Sequence, residues 1–323
     1  MNVNHRKIAS ISLDLDNLWS YMKAHGDRGW EEYPSYLDMV IPRVLDILDE
    51  LGLKITFFIV GKDAEQQENQ SVLKSIVMRG HEVGNHSMNH EPWSRSSDPD
   101  FVREEITLAE SLITKATDRK PVGFRGPGFS LSIAQLSVLE ERGYLYDAST
   151  LPTYTGPFAR AYFFKRSKFS NEEREKRKIL YGSLGDGLKP VKPYFWNLPD
   201  GKSILEIPVT TMPVFKTPFH LTYLLYLSGF SQQLAEIYLR IALHMCKVTG
   251  TSPSFLLHST DFIGCDELSK LSFFPGMNLS SKKKRRVFTK VMNLLSHRYD
   301  LVCMEGHARD IIAHDNVSAR ECR

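Results

Sequence analysis

Short apolar runs alternate with amphipathic helical patterns along most of the chain, and this alternation restricts the fold more than any other feature. The first run, Ile8-Ala9-Ser10-Ile11, leads into "SLDLDN" (12–17). Leu37, Val40, Ile41, Val44, Leu45, Leu48 and Leu51 then recur at three- and four-residue steps, and Gly52 follows them. That is the pattern of a helix with one apolar face and a glycine stop. "KITFFIV" (54–60) reads as a buried strand, and 64–79 as a helix ended by Gly80. The unit recurs as a strand near Glu82, a helix over 100–115, a strand over 122–124, a helix over 132–142 and a strand over 145–147. After a break it resumes with a strand at 204–209, a helix at 231–246, a strand at 255–257, a helix at 280–297 and a strand at 301–304. Strands that alternate with helices make a parallel α/β fold, here with seven or eight strands in a closed or nearly closed barrel.

The break covers residues 151–202. It holds the charged run "SKFSNEEREKRK" and the aromatic residues Tyr154, Phe158, Tyr162, Phe163, Tyr194, Phe195 and Trp196. Long segments of this kind in compact domains serve as lids or are disordered, and this one is too aromatic for a linker. The expectation is one catalytic domain over 1–323 with a lid or insertion at about 151–202.

Composition excludes several classes. The chain is 42% hydrophobic and 24% charged with net charge +3, which does not suggest a nucleic-acid partner. The basic run at 282–286 reads as a solvated helix face, with a phosphate or membrane contact as the alternative. No apolar run reaches the ~18 residues of a membrane helix. "FHLTYLLYLSGF" (219–230) comes nearest, as core or lid packing or as a surface contact with lipid. The N-terminus lacks a long apolar core, so the expected location is the cytoplasm. Cys246, Cys265, Cys303 and Cys322 form no CxxC and are expected to be free thiols.

The chemistry-bearing residues fall at strand ends, where α/β barrels build their sites. Asp14 and Asp16 are two apart, so a strand sends both to one face, where adjacent anions need a cation, a shared proton or water. In "HEVGNHSMNH" (81–90), His86 and His90 are four apart, and on one helical turn both imidazoles reach a single ion. With Asp16 they make a two-histidine, one-carboxylate set with open positions, although one capping and one exposed histidine would leave the same pattern. In "GFRGPGF" (123–129), Arg125 is placed to orient a carboxylate such as Asp14, and the Gly-Pro-Gly turn leaves the Gly128 amide accessible to an oxyanion; a surface loop with a salt bridge is the alternative. "FLLHSTD" (255–261) carries His258 to the rim, suited to general acid work or to a structural role, with Asp261 three residues on.

Asp-x-Asp, His-Ser-x-x-His, Arg-Gly-Pro-Gly and Leu-His, in that order, resemble the polysaccharide deacetylase family (NodB homology), from about residue 8 to residue 301. The resemblance implies a distorted (β/α) barrel and one divalent metal, zinc first, with cobalt, manganese, nickel or iron as alternatives. It implies that Asp16, His86 and His90 hold the metal, Asp14 is the general base, Arg125 orients Asp14, and His258 protonates the departing amine. Gly128 stands where the family usually has an aromatic residue, and its amide would contact the oxyanion. Asp147, in "YLYDAST", would be the acidic partner of His258. The first motif departs from the family's adjacent aspartates followed by Gly-Pro: Leu15 intervenes and no Gly-Pro follows.

The expected activity is N-deacetylation of an acetylated amino sugar in a glycan or glycolipid precursor, soluble or lipid-linked at the inner membrane surface. The alternatives are allantoinase-like or deformylase-like hydrolysis of a small C–N substrate, and a carbohydrate-binding barrel without turnover.

Overall fold

The computed structural model describes residues 7–93, 98–170, 172, 184–314 and 317–322. The ten strands among them are β1 (Ile8–Asp14), β2 (Thr56–Ile59), β3 (Glu82–Asn85), β4 (Gly123–Phe124), β5 (Tyr146–Asp147), β6 (Tyr194–Asn197), β7 (Ser203–Glu206), β8 (Ser254–His258), β9 (Asp300–Val302) and β10 (Ala319–Glu321). They form one sheet in the order β10-β6-β7-β5-β4-β3-β2-β1-β8, with β9 pairing β1 beside this path. From β8 to β7 the seven ring strands run parallel, and β6 is antiparallel to β7.

The ring closes just past β7, where the Thr210 amide donates to the Ser254 carbonyl at 3.0 Å and Ser254 N–H donates to Thr210 Oγ1 at 2.8 Å. A ring closed by so few bonds, with β4 and β5 only two residues long, is a distorted (β/α) barrel: the alternation predicts the nearly closed ring, and the family resemblance implies its distortion. Gly123 is required there, because a Cβ would come within 2.0 Å of the Tyr146 ring.

The two faces of β1 explain how the site is supported. Ala9, Ile11 and Leu13 pack in the main apolar core. Ser10, Ser12 and Asp14 alternate with them and turn into the barrel. Ser10 Oγ pairs with His307 Nδ1 at 2.8 Å, while Ser12 Oγ accepts from Arg125 at 2.9 Å. His307 belongs to the helix Met304–His314, whose first amides donate to Thr56 Oγ1 and Glu82 Oε2. That helix therefore seals the end of the barrel away from Asp14.

Several expectations need correction. The helix expected over 64–79 is broken into Gly61–Glu65, a turn of 3-10 helix at Gln67–Asn69, and Gln70–Met78. Gln66 is extended there, and the Asn69 side chain donates to the Asp63 carbonyl and accepts from Ser35. In the basic run, Lys284 is not solvated: it is buried on the helix Ser281–Ser296 and donates to the Thr260 carbonyl at 2.8 Å.

Within 151–202, the chain forms a helix at Gly156–Arg166, a 3-10 turn at Leu184–Leu188 and strand β6. Residue 171 and residues 173–183, which hold most of the charged run, lie outside the described residues. Tyr194 and Trp196 are buried in β6, and Trp196 donates to Glu206. The apolar run 219–230 supplies the helix Leu221–Phe230, with Leu221, Leu224 and Leu225 in the core. No described helix is long and apolar enough to cross a membrane.

Candidate active site

Asp14 is the last residue of β1, and Arg125 follows β4. Arg125 is fully buried: Nη1 donates to Asp14 Oδ1 at 2.6 Å and to Ser12 Oγ at 2.9 Å, Nε donates to the Ala148 carbonyl at 3.1 Å, and the guanidinium lies 4.3 Å from the Phe58 ring centre. Its own carbonyl accepts from His86 Nδ1 at 2.6 Å. One residue thus fixes both a carboxylate and an imidazole.

Asp16 lies past the end of β1, with its backbone clamped. Its carbonyl accepts from Tyr36 Oη at 2.6 Å and from Ser259 Oγ at 2.5 Å, and Asn17 caps the helix Leu18–His25 that follows. His86 and His90 do not share a helical turn, contrary to the expectation from their spacing. Ser87 (φ 64) and His90 (φ 49) are left-handed, and the amides of 87–89 are taken by side chains: Ser87 N–H by Asn85, Met88 and Asn89 N–H by Glu105. A right-handed turn cannot pass through left-handed residues at 87 and 90, so no helical ladder forms, and the side chains take the amides that the loop exposes. The loop brings the same imidazoles together by another route.

His86 Nε2 lies 3.3 Å and His90 Nε2 2.8 Å from Asp16 Oδ1, and one ligand atom from each residue falls within 4.8 Å of the others. A carbonyl only accepts, so His86 Nδ1 carries the proton in the neutral ring and Nε2 presents its lone pair to Asp16. Asp16 Oδ1 is buried without a hydrogen-bond partner. Burial pushes the Asp16 carboxyl up, but the charges that His90 and His86 carry against it when protonated hold it well below the usual carboxylate range, and with both rings neutral a cation would take that place. An ionised, orphaned oxygen facing two imidazole nitrogens fits a divalent cation with three protein ligands.

His258 ends β8. Its Nδ1 is 3.0 Å from Thr222 Oγ1, which donates to Asp261 Oδ1 at 2.9 Å, and Asp261 Oδ2 accepts the His258 amide at 2.9 Å. The Thr222 hydroxyl has one proton and gives it to the carboxylate, so its lone pair accepts His258 Nδ1–H and leaves Nε2 for chemistry. His220 lies beside it, ring centres 5.7 Å apart; burial, then the charges of His258 and Arg125, hold it well below the usual histidine range. It therefore does not compete for a proton near neutrality. Thr222→Val is expected to lower kcat roughly 10-fold, shift the alkaline limb of the pH profile, which a general acid sets, and leave metal content unchanged, with Thr222→Ser restoring activity. An unaltered pH profile would reduce Thr222 to packing.

Asp147 is not the partner of His258. Tyr146 takes the inward face of the two-residue β5, where it donates to Glu82, so Asp147 points out. There it accepts from Ser149 Oγ at 2.6 Å and Gln135 Nε2 at 3.1 Å, and it pairs in register with Glu206. Burial, and then the charge of Asp147, push Glu206 well up. The acid that serves His258 is Asp261, reached through Thr222.

Asp14, Asp16, His86, His90, Gly128 and His258 line one cavity of about 180 Å³. Gly128 adopts φ 59, a conformation that glycine takes without strain. Tyr21, Phe129 and Phe274 form apolar walls, and a Lys23–Glu91 ion pair of 2.5 Å lines the cavity as well. Sequence reasoning missed Thr222, Lys23 and Glu91. Thr222 did leave a trace, since it and His220 interrupt an otherwise apolar run.

Beneath Asp16, Asp63 Oδ1 accepts from Asn17 Nδ2 at 2.7 Å and Trp19 Nε1 at 2.8 Å, while Oδ2 has no partner. Burial pushes Asp63 up to about 7. A carboxyl raised in the folded state stabilises fully below its unfolded pKa and loses that contribution as pH rises through the folded value. Asp63→Asn keeps the Oδ1 acceptor without the charge. It is expected to be more stable than wild type at pH 8, by up to about 4 kcal/mol, and equal near pH 4. Urea unfolding at the two pH values checks this, and a gap independent of pH would contradict it.

A family model described as polysaccharide deacetylase matches residues 27–146. A peptidoglycan deacetylase-like protein of Gibberella zeae is 32% identical over 150 residues, covering 44% of this chain and 43% of that protein. A peptidoglycan-N-acetylglucosamine deacetylase of Bacillus cereus is 35% identical over 103 residues, covering 32% of this chain and 46% of that one. The chain spans less than half the length of these curated relatives. Among solved structures, a polysaccharide deacetylase from Mycobacterium smegmatis, described as putative in its title, superposes with TM-score 0.62 at 19% identity, over 99% of this chain and 95% of that one. One from Pseudomonas aeruginosa PAO1, titled a probable polysaccharide deacetylase, gives 0.55 at 19% identity, over 96% and 93%. These two likenesses show the fold.

Proposed function

We propose that the chain is a member of the polysaccharide deacetylase family and, within it, a metal-dependent amide hydrolase that removes an acetyl or similar acyl group from an amino sugar. The observation that carries this is convergence. Asp14, Asp16 and His258 lie outside the matched residues 27–146, yet they meet His86, His90 and Arg125 around one cavity.

Asp16, His86 and His90 would hold the ion. When bound there, a divalent cation polarises the amide carbonyl and acidifies water. Asp14, fixed through Oδ1 by Arg125, takes the proton of the attacking water. The Gly128 amide faces the oxyanion of the tetrahedral adduct, and His258 Nε2 gives a proton to the amine nitrogen as the C–N bond breaks. The small cavity favours one sugar residue of a precursor over an enclosed polymer chain, and its Tyr21, Phe129 and Phe274 walls suit a sugar face.

The test is metal analysis of the purified protein beside an Asp16→Ala, His90→Ala double variant, followed by acid release from N-acetylated amino sugars and from small cyclic and formyl amides. Close to one equivalent of zinc or another divalent ion, lost in the variant, with acetate released from a sugar, is the expected result. Turnover of only the small amides would move the substrate class. Failure to bind metal in either protein after reconstitution would end the hydrolase reading.

A further inference from the structure

The helix Gln232–Thr249 buries Ala235, Leu239, Ala242, Leu243 and Cys246 against the barrel. Its opposite face is apolar and uncovered among the described residues: Leu234 is 48% exposed, Ile237 56%, Ile241 50% and Val248 69%, with Phe230 at 74% just before the cap Ser231. With exposed His244, positions 234, 237, 241, 244 and 248 recur every three or four residues, which puts them on one stripe along the helix, while Phe230 ends the preceding helix Leu221–Phe230.

We propose that this stripe is the twofold interface of a homodimer, in which two copies of the helix pack antiparallel about Leu239. The stripe is its own complement under that operation. Leu234 and His244 lie equally far from position 239, as do Ile237 and Ile241. Antiparallel pairing therefore sets Leu234 against His244 and Ile237 against Ile241 of the second copy, as an isologous contact requires. The charges agree with this register. Glu236 and Arg240 form an ion pair of 2.7 Å on the flank of the stripe, and inversion about 239 brings Glu236 of one copy within a helical turn of Arg240 of the other.

The apolar area is also of the right size. Covering these residues together with neighbouring Tyr226 would remove roughly 700 Å² per copy from water, near the ~800 Å² per partner of a stable interface and above the largest patch of most monomers.

The experiment is sedimentation velocity on the full chain across a concentration series. Wild type is expected to sediment as two copies, and Ile237→Glu, like Ile241→Lys, to weaken association at least ~100-fold by burying unpaired charge. Because position 237 of one copy meets 241 of the other, Ile237→Glu combined with Ile241→Lys in the same chain should dimerise again. Melting curves of each variant, whose changes lie on an exposed face, check that the fold is kept. A wild type that stays monomeric to ~100 µM, well beyond the range of stable dimers, would overturn the proposal. So would a dimer untouched by either single change, or no rescue in the combined variant. A monomer that sediments with phosphatidylglycerol vesicles, and no longer does so as Ile237→Glu, would assign the stripe to lipid instead.

Discussion

Asp14→Asn is expected to purify with its full complement of metal and almost no activity. The substitution leaves Asp16, His86 and His90 untouched, and asparagine can still accept from Arg125 through its side-chain carbonyl. What is lost is a base that accepts the proton of the attacking water, which is worth about 10²–10⁴-fold in rate. The loss should fall on kcat across the pH range, with the affinity for a substrate analogue nearly unchanged, because the cavity keeps its shape. Asp16→Asn should instead lose the ion along with turnover. Equal loss of metal in the two variants would mean that the roles of the pair are assigned wrongly.

The different fates of Asp14 and Asp16 show what a sequence can carry here. Period and punctuation are local, so the helix Leu37–Glu50 and the strand β1 stand where the apolar steps and the glycine stop at Gly52 put them. The residues of the site were also legible, because chemistry at strand ends leaves short motifs. Conformation between those motifs was not. The spacing of His86 and His90 suggested a helical turn, yet Ser87 and His90 are left-handed, in a loop whose Met88 and Asn89 amides are held by Glu105, fifteen residues beyond His90.

Asp147 failed for a related reason. Its direction depends on β5 being two residues long with Tyr146 inside, and that follows from packing around Gly123 and Glu82 rather than from the local pattern. The partner that replaces it, Asp261, was visible beside His258, but the Thr222 hydroxyl that joins them comes from a separate helix. Lys284 is a further case. A run of five basic residues on a helix must turn one of them inward, and tertiary contact with the Thr260 carbonyl decides which.

Arg125→Met is expected to be the most destabilising single change at the site. Arg125 is fully buried, its ion pair with Asp14 is 2.6 Å long, and Asp14 itself is nearly enclosed. Breaking such a pair from one side leaves an uncompensated buried charge, which costs about 3–5 kcal/mol. Ser12 Oγ and the Ala148 carbonyl lose a donor as well. Lysine is no remedy, since one ammonium lacks the planar fork that reaches three acceptors with its centre 4.3 Å from the Phe58 ring centre. The double variant Asp14→Asn, Arg125→Met tests the cause. With the anion gone, methionine at 125 strands no charge, so the loss in the double variant should fall short of the sum of the Asp14→Asn and Arg125→Met losses by about 1–3 kcal/mol of coupling. Additive losses would instead assign the cost of Arg125→Met to lost packing and backbone contacts. Activity would not return in either case, because the double variant still lacks the base that Arg125 exists to position.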